Sequence, residues 1–310
     1  MNPSDRRHSF LSYALAIMAM AWLRLGCASE IAIVMSEDSA VYREVAETVR
    51  VQLTDAATVS IIQPAGVPAM NRKELRYLVA IGNQAAQAIL ASDLDAPLLV
   101  TLLPQTAFER LVAERRRDGT QRPVSAVFLD QPVARQLNLI RLALPNARRI
   151  GVLLGPESAK QLAPLQSEAA ERRMNISVQR LDNETELAGS LQKLLAESDV
   201  MLALPDPAVF NAGTIQLILL ASYRQQLPLL GFSAAYVRAG AIAALHSTPT
   251  QIGIQAGEML RAALVNGHLP PPRHPNRYTV TTNPHVARSL GISLESEQSL
   301  MQRMRGLDAP

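Results

Sequence analysis

At 310 residues, with 48% hydrophobic and 18% charged side chains, the chain has the composition of a globular protein and enough length for two ordinary lobes. A net charge of +3 on scattered basic residues speaks against a nucleic-acid groove, and the densest cluster, Arg115-Arg116-Arg117 between Glu114 and Asp118, reads as a solvated helix end. One cysteine, Cys27, excludes a disulfide framework and a CxxC metal site.

Residues 1–29 have the layout of a secretory signal peptide. Arg6 and Arg7 give a basic start, Phe10 to Leu23 form an apolar run, and small residues follow from Gly26 to Ser29. The run is short and poorly flanked for a membrane span. The twin arginine lacks Phe-Leu at the usual spacing, which favours export of the unfolded chain; the alternative is an uncleaved amphipathic anchor. Gly26 suits a lipid-modified Cys27, whereas Arg24 and Leu25 do not, so a lipid anchor and ordinary cleavage near Ala28 or Ser29 both stay open. The expectation is a soluble mature chain in the periplasm.

From Glu30 onward the chain carries the same series twice. Glu30 to Ala40 (EIAIVMSEDSA) recurs as Arg149 to Ala159 (RIGVLLGPESA), an apolar run that ends in a polar loop before a helix-like segment. Val59–Ile62 corresponds to Ile176–Val178, Tyr77–Asn83 to Asp199–Asp206, and Pro97–Val100 to Pro228–Gly231. Short β-rich runs without polar alternation read as strands buried on both faces. Helix-like segments such as Gln84–Leu90 and Gly213–Arg224 separate them. The predicted fold is α/β: two doubly wound parallel-sheet lobes with a ligand cleft between them.

Doubly wound sheets present their ligands with loops at the carboxyl ends of the strands. Those loops hold Ser36, Ser39, Asn83 and Gln84 in the first series, and Ser158, Asp206, Asn211, Ser233 and Tyr236 in the second. Ser39 and Ser158 precede helix-like segments, where backbone N–H groups receive a carboxylate or phosphate oxygen, or where the serine is an N-cap. Asp206 follows a buried strand and precedes Pro207; it either meets a ligand ammonium group or caps the next turn. Tyr236 reads as a cleft wall, Phe210 and Phe232 as core, and His246 as a surface or hinge residue. The only tryptophan, Trp22, lies in the signal segment, and 4% aromatic residues speak mildly against a carbohydrate.

Downstream, Gln251–Leu264 suits a helix, Leu269–Pro275 a stiff extended connector and Tyr278–Thr282 a further strand. The segment Thr282 to Leu294 (TNPHVARSLGISL) resembles the ending of a family of ABC transporter substrate-binding proteins that includes members associated with aromatic amino acid import. Gly82–Gln87, Leu204–Asp206, Pro228–Ser233 and Val237–Ala241 agree in order with the same family, whereas Leu102–Thr106 and Arg122–Ala126 depart from it. The resemblance implies a type I periplasmic binding protein-like fold with three crossovers, a small-molecule ligand and delivery to an ABC transporter membrane permease. A periplasmic sensing subunit of the same fold is the alternative.

The ranges expected are 30–128 with 242–272 for the first lobe, and 129–241 with 273–310 for the second. No cofactor, metal site or nucleic-acid partner is expected. The sequence has no dinucleotide fingerprint, phosphate loop or nucleophile elbow, and its five histidines include no i, i+4 pair. Catalysis is therefore not expected.

Overall fold

Stretches such as Ile31–Val34 and Leu78–Ile81 offer no polar face, so they are stable only as strands covered on both sides. A computed structural model, which describes residues 30–71, 75–117, 122–181 and 184–308, places them so. The expected signal segment, with Trp22 and Cys27, lies outside the described residues. Strands β1 (Glu30–Met35), β2 (Thr58–Ile62), β3 (Leu75–Ile81), β4 (Leu98–Leu103) and β5 (Val124–Phe128) form a parallel sheet in the order β2-β1-β3-β4-β5. Helices α1 (Ala40–Gln52), α2 (Asn83–Ala91) and α3 (Gln105–Arg117) alternate with them.

The second sheet contains β6 (Arg149–Leu154), β7 (Asn175–Arg180), β8 (Val200–Leu202), β9 (Leu229–Gly231), β10 (Ala243–His246) and β11 (Thr279–Thr282). Its order is β11-β10-β9-β8-β6-β7, with β11 antiparallel to β10 and the other pairs parallel. Around it lie α4 (Val133–Ala143), α5 (Leu162–Glu171), α6 (Leu187–Glu197), α7 (Ile215–Arg224) and α8 (Ala234–Ala239). The internal repeat survives in three dimensions: β2-β1-β3-β4 and β7-β6-β8-β9 are the same order of corresponding strands. β5 and β10 extend each series by one strand, and neither was read from the sequence.

The chain then returns to the first lobe. Thr248 starts α9 (Pro249–Asn266) with a capping box: its hydroxyl accepts from the Gln251 amide while the Gln251 side chain accepts from the Thr248 amide. Pro249 fits the first helical position, and Gly267 ends the helix in the left-handed conformation. The face carrying Ile252, Ala256, Met259, Leu260 and Ala263 is buried with Val45 and Val49 of α1 and Ile31, Ile33 and Val79 of the first sheet. Arg273 then bridges to Val127 of β5 before β11 joins the second sheet. Helices α10 (Pro284–Ser289) and α11 (Glu297–Asp308) follow, and Leu300 and Met304 of α11 are buried in the second lobe's core with α4. The range 242–272 is thus divided, with β10 in the second sheet and α9 on the first.

Three segments cross between the lobes: 129–132, 247–248 and 274–277. Gln131, almost wholly buried, donates from Nε2 to Ser247 Oγ at 2.8 Å, and Ser247 Oγ donates to the Arg277 carbonyl at 2.6 Å. One hydrogen-bonded chain therefore ties all three crossovers. Buried Gln255 of α9 adds a second tie, donating to the His274 carbonyl at 3.1 Å and accepting from the Asn276 amide at 2.7 Å.

Candidate functional site

The carboxyl ends of the two sheets face each other. Arg110, on α3 after β4, meets Glu157, in the loop after β6, with Nη2 to Oε1 at 2.8 Å. The turn at Ser158–Gln161 lies against α3. The loop after β6 and helix α3 after β4 therefore meet between the lobes.

Asp206 organises the second lobe's wall. Only 2% exposed, its carboxylate accepts four hydrogen bonds from its own lobe. Oδ2 takes the Glu157 amide at 3.1 Å, the Ser158 amide at 2.8 Å and the Ser158 hydroxyl at 2.8 Å, while Oδ1 takes the Ala208 amide at 3.0 Å. Ser158 Oγ also accepts from the Gly155 amide at 3.0 Å. A Cβ at Gly155 would stand 2.7 Å from both Asp206 oxygens, so the position needs glycine. Asp206 and Ser158 are brought together, but as a clamp between two loops. Of the two roles open in the sequence, these contacts are those of the cap.

Asn211 works similarly one turn later. Its Oδ1 accepts from the Gly213 and Thr214 amides and its Nδ2 donates to the Pro207 carbonyl. In the first lobe Ser36 ties two loops, donating to the Ile81 carbonyl and accepting from the Ala85 amide, both at 2.9 Å. Gly82, at φ +86°, lets Ser36 and the Tyr42 ring close over it, since a Cβ would meet both at 2.7 Å.

The remaining expected residues are less occupied. Ser39 is the N-cap of α1 and Ser233 of α8; both are half-buried and neither side chain makes a capping bond. Asn83 and Gln84 are exposed at the start of α2. Tyr236 is half-buried in an aromatic cluster, 4.4 Å from Phe232 and 6.2 Å from Phe210 between ring centroids, and its hydroxyl lies 3.4 Å from the Phe210 carbonyl. Burial pushes its phenol up to about 12. Phe210 is buried with this lobe's core and Phe232 packs against it.

Three features escaped the sequence reading. Tyr42 is raised above the ordinary phenol range by burial and by Glu37, and stands beside Ser36 and Gly82. Its signal was present: it is the aromatic residue three positions after Ser39, in the first turn of α1. Asp130, in the first crossover, is 7% exposed and accepts from the Gln105 amide at 2.8 Å. Burial pushes its carboxyl up, against the opposing pull of that amide and of His274. The Arg110–Glu157 pair joins residues 47 positions apart, beyond any local pattern. His246 lies at the end of β10 beside the second crossover, with Nε2 3.0 Å from Thr281 Oγ1; burial lowers its pKa.

Among the described residues there is no group of three or more His, Cys, Asp or Glu side chains able to hold a metal ion. No helix among them is long and apolar enough to cross a membrane.

The family model described as "ABC transporter substrate binding protein" matches residues 48–302. No curated protein matches the chain by sequence. Among solved structures, a conserved domain protein from Vibrio cholerae is similar at a TM-score of 0.63 and 21% identity, covering 89% of this chain and 98% of that one. An ABC domain from Streptococcus pneumonia in complex with L-Trp gives 0.61 at 16% identity, covering 88% and 97%. The ligand-free, open form of a Clostridium difficile substrate-binding protein with adhesive properties gives 0.67 at 17% identity, covering 86% and 96%. At these identities the structural likeness establishes the two-lobed fold and leaves ligand and partners open.

Proposed function

We propose that this chain, which belongs to the ABC transporter substrate-binding protein family, captures a small molecule between its lobes and delivers it to a membrane permease. The observation that carries the reading is the facing of two sets of carboxyl-end loops across a cleft spanned by three crossovers. A solute that touches both sets binds the closed arrangement better than the open one and shifts the population toward it. Ser39, Asn83, Gln84 and Tyr42 offer contacts from the first lobe, and Ser233 and Tyr236 from the second. An amino acid or similar small molecule suits this mixture, its carboxylate at the first turn of α1 and its apolar part against the Phe210–Phe232–Tyr236 cluster.

Asp206 enters the proposal through its loops, because its oxygens are already spent on four donors. The working location is outside the cytoplasm, with residues 1–29 as the export segment. Lobe ranges of 30–128 with 249–273 and 133–246 with 278–308 follow the sheet membership.

Mass spectrometry of small molecules released from the purified, denatured protein tests the reading. The expected result is one solute at near-stoichiometric amount, whose affinity by calorimetry falls on Tyr236→Ala and Asn83→Ala. A solute whose affinity ignores both substitutions would move the binding site elsewhere.

A further inference from the structure

The two lobes are bridged at one flank by their own side chains. Arg110 and Glu157 belong to different lobes, and their ion pair at 2.8 Å leaves Glu157 only 17% exposed while Arg110 stays 48% exposed. Each partner is fixed from behind. The Glu157 amide is held by Asp206 Oδ2, so the acid sits on the buried clamp of the second lobe. Arg110 rides on α3, whose first amide, that of Gln105, is held by Asp130 of the crossover. The neighbouring Glu109 is engaged by Gln105 Nε2 at 2.7 Å, which leaves Glu157 as the partner of Arg110.

We infer that Arg110 and Glu157 form an electrostatic latch that holds the lobes together at this flank in the unliganded chain. The inference borrows from the capture reading only its purpose, a cleft that closes; the contact stands independently of any ligand. Fixing both backbones beforehand removes the backbone share of the entropy lost when the pair forms and leaves the side-chain share, which keeps an exposed pair modest. Ligand-free chains then sample the closed form more often than an unlatched cleft would, and the sampling falls as salt rises.

The test measures the distance between nitroxide labels at Asp55→Cys and Lys193→Cys, exposed positions on the two lobes, in a Cys27→Ser background by pulsed electron resonance. The full chain is used without added solute. Arg110→Ala and Glu157→Gln each lower the ratio of closed to open chains about two- to fivefold, the range a pair of this exposure supports. Arg110→Glu lowers it further, and combining it with Glu157→Arg restores the wild-type distribution. Raising NaCl to about 1 M, where the Debye length is about 3 Å, opens the wild type and leaves Arg110→Ala unchanged. If the single variants keep the wild-type distances, or the charge exchange fails to restore them in chains with unchanged circular dichroism, the latch is overturned. Failure to find a bound solute would strike the capture reading and leave these distances as they are.

Discussion

Replacing Asp206 by Asn tests the clamp with almost no change in shape. The amide oxygen can occupy the place of Oδ2 and keep its three donors, the Glu157 and Ser158 amides and the Ser158 hydroxyl. The NH2 group then faces the Ala208 amide, which loses its acceptor. Three bonds fall from the charge-assisted range of about 1.5–3 kcal/mol to the neutral range of about 0.5–1.5 kcal/mol, and the part-buried Ala208 amide left unpaired costs at most about 1–3 kcal/mol. Adding these gives about 4–7.5 kcal/mol, an upper bound because bonds sharing one carboxylate are not additive. We expect Asp206→Asn to cost about 2–4 kcal/mol, which for a lobe of this size lowers Tm by about 5–15 °C. Ser158→Ala, which removes one of those donors, should cost about half as much. Thermal unfolding of the ligand-free chain by circular dichroism reads both. An Asn variant that melts within about 1 °C of wild type would refute the clamp and return Asp206 to the list of ligand contacts.

Gly155→Ala drives a Cβ into the Asp206 oxygens, so it should destabilise by about 1–3 kcal/mol and be much less harmful in an Asp206→Ala background, a coupling that denaturant titration of the double-mutant cycle would show. Asp130 has a folded pKa above its unfolded value, so its folded state holds the proton more tightly and stability falls as pH rises from about 4 into the raised range. Asp130→Asn keeps an acceptor for the Gln105 amide, and its Tm should gain on wild type as pH rises from about 4, whereas parallel profiles would contradict the buried charge. The Tyr236 phenol, raised to about 12, contributes stability that is lost as pH rises from about 10 through that value. Ultraviolet titration should show one late-ionising phenol fewer in Tyr236→Phe.

The fold was legible because it is written twice. A constant offset between Glu30–Ala40 and Arg149–Ala159 needs no structure to be seen, and apolar runs without alternation have one stable use in an α/β protein. What escaped was the fifth strand of each series. β5 sits between Pro123 and a second turn, and β10 (Ala243–His246) is four residues with little β-branched content. Both gain their place from tertiary pairing, β5 from Arg273 on one side and β10 from the antiparallel β11. The lobe boundary at 242 follows from that miss, since without β10 the chain has no reason to stay in the second sheet.

The positions of the candidate residues were legible in the sequence, and the partners of their side chains were not. The candidate loops do follow strand ends, where parallel sheets commonly place their ligands. Among the polar residues of such a loop, however, sequence gives no means of telling a side chain turned inward from one turned toward the cleft. Ser36, Ser158, Asp206 and Asn211 all face backbone amides of their own lobe. Ser39 and Ser233 occupy the same chemical position, before a helix, and make no such bond. The difference is geometric: Ser36, Ser158, Asp206 and Asn211 lie within reach of amides that have no strand or helix partner, and their side chains satisfy those first. A rigid wall comes before any ligand contact. This is why Asp206, a carboxylate in the second lobe's loops, is already engaged by four donors of its own lobe.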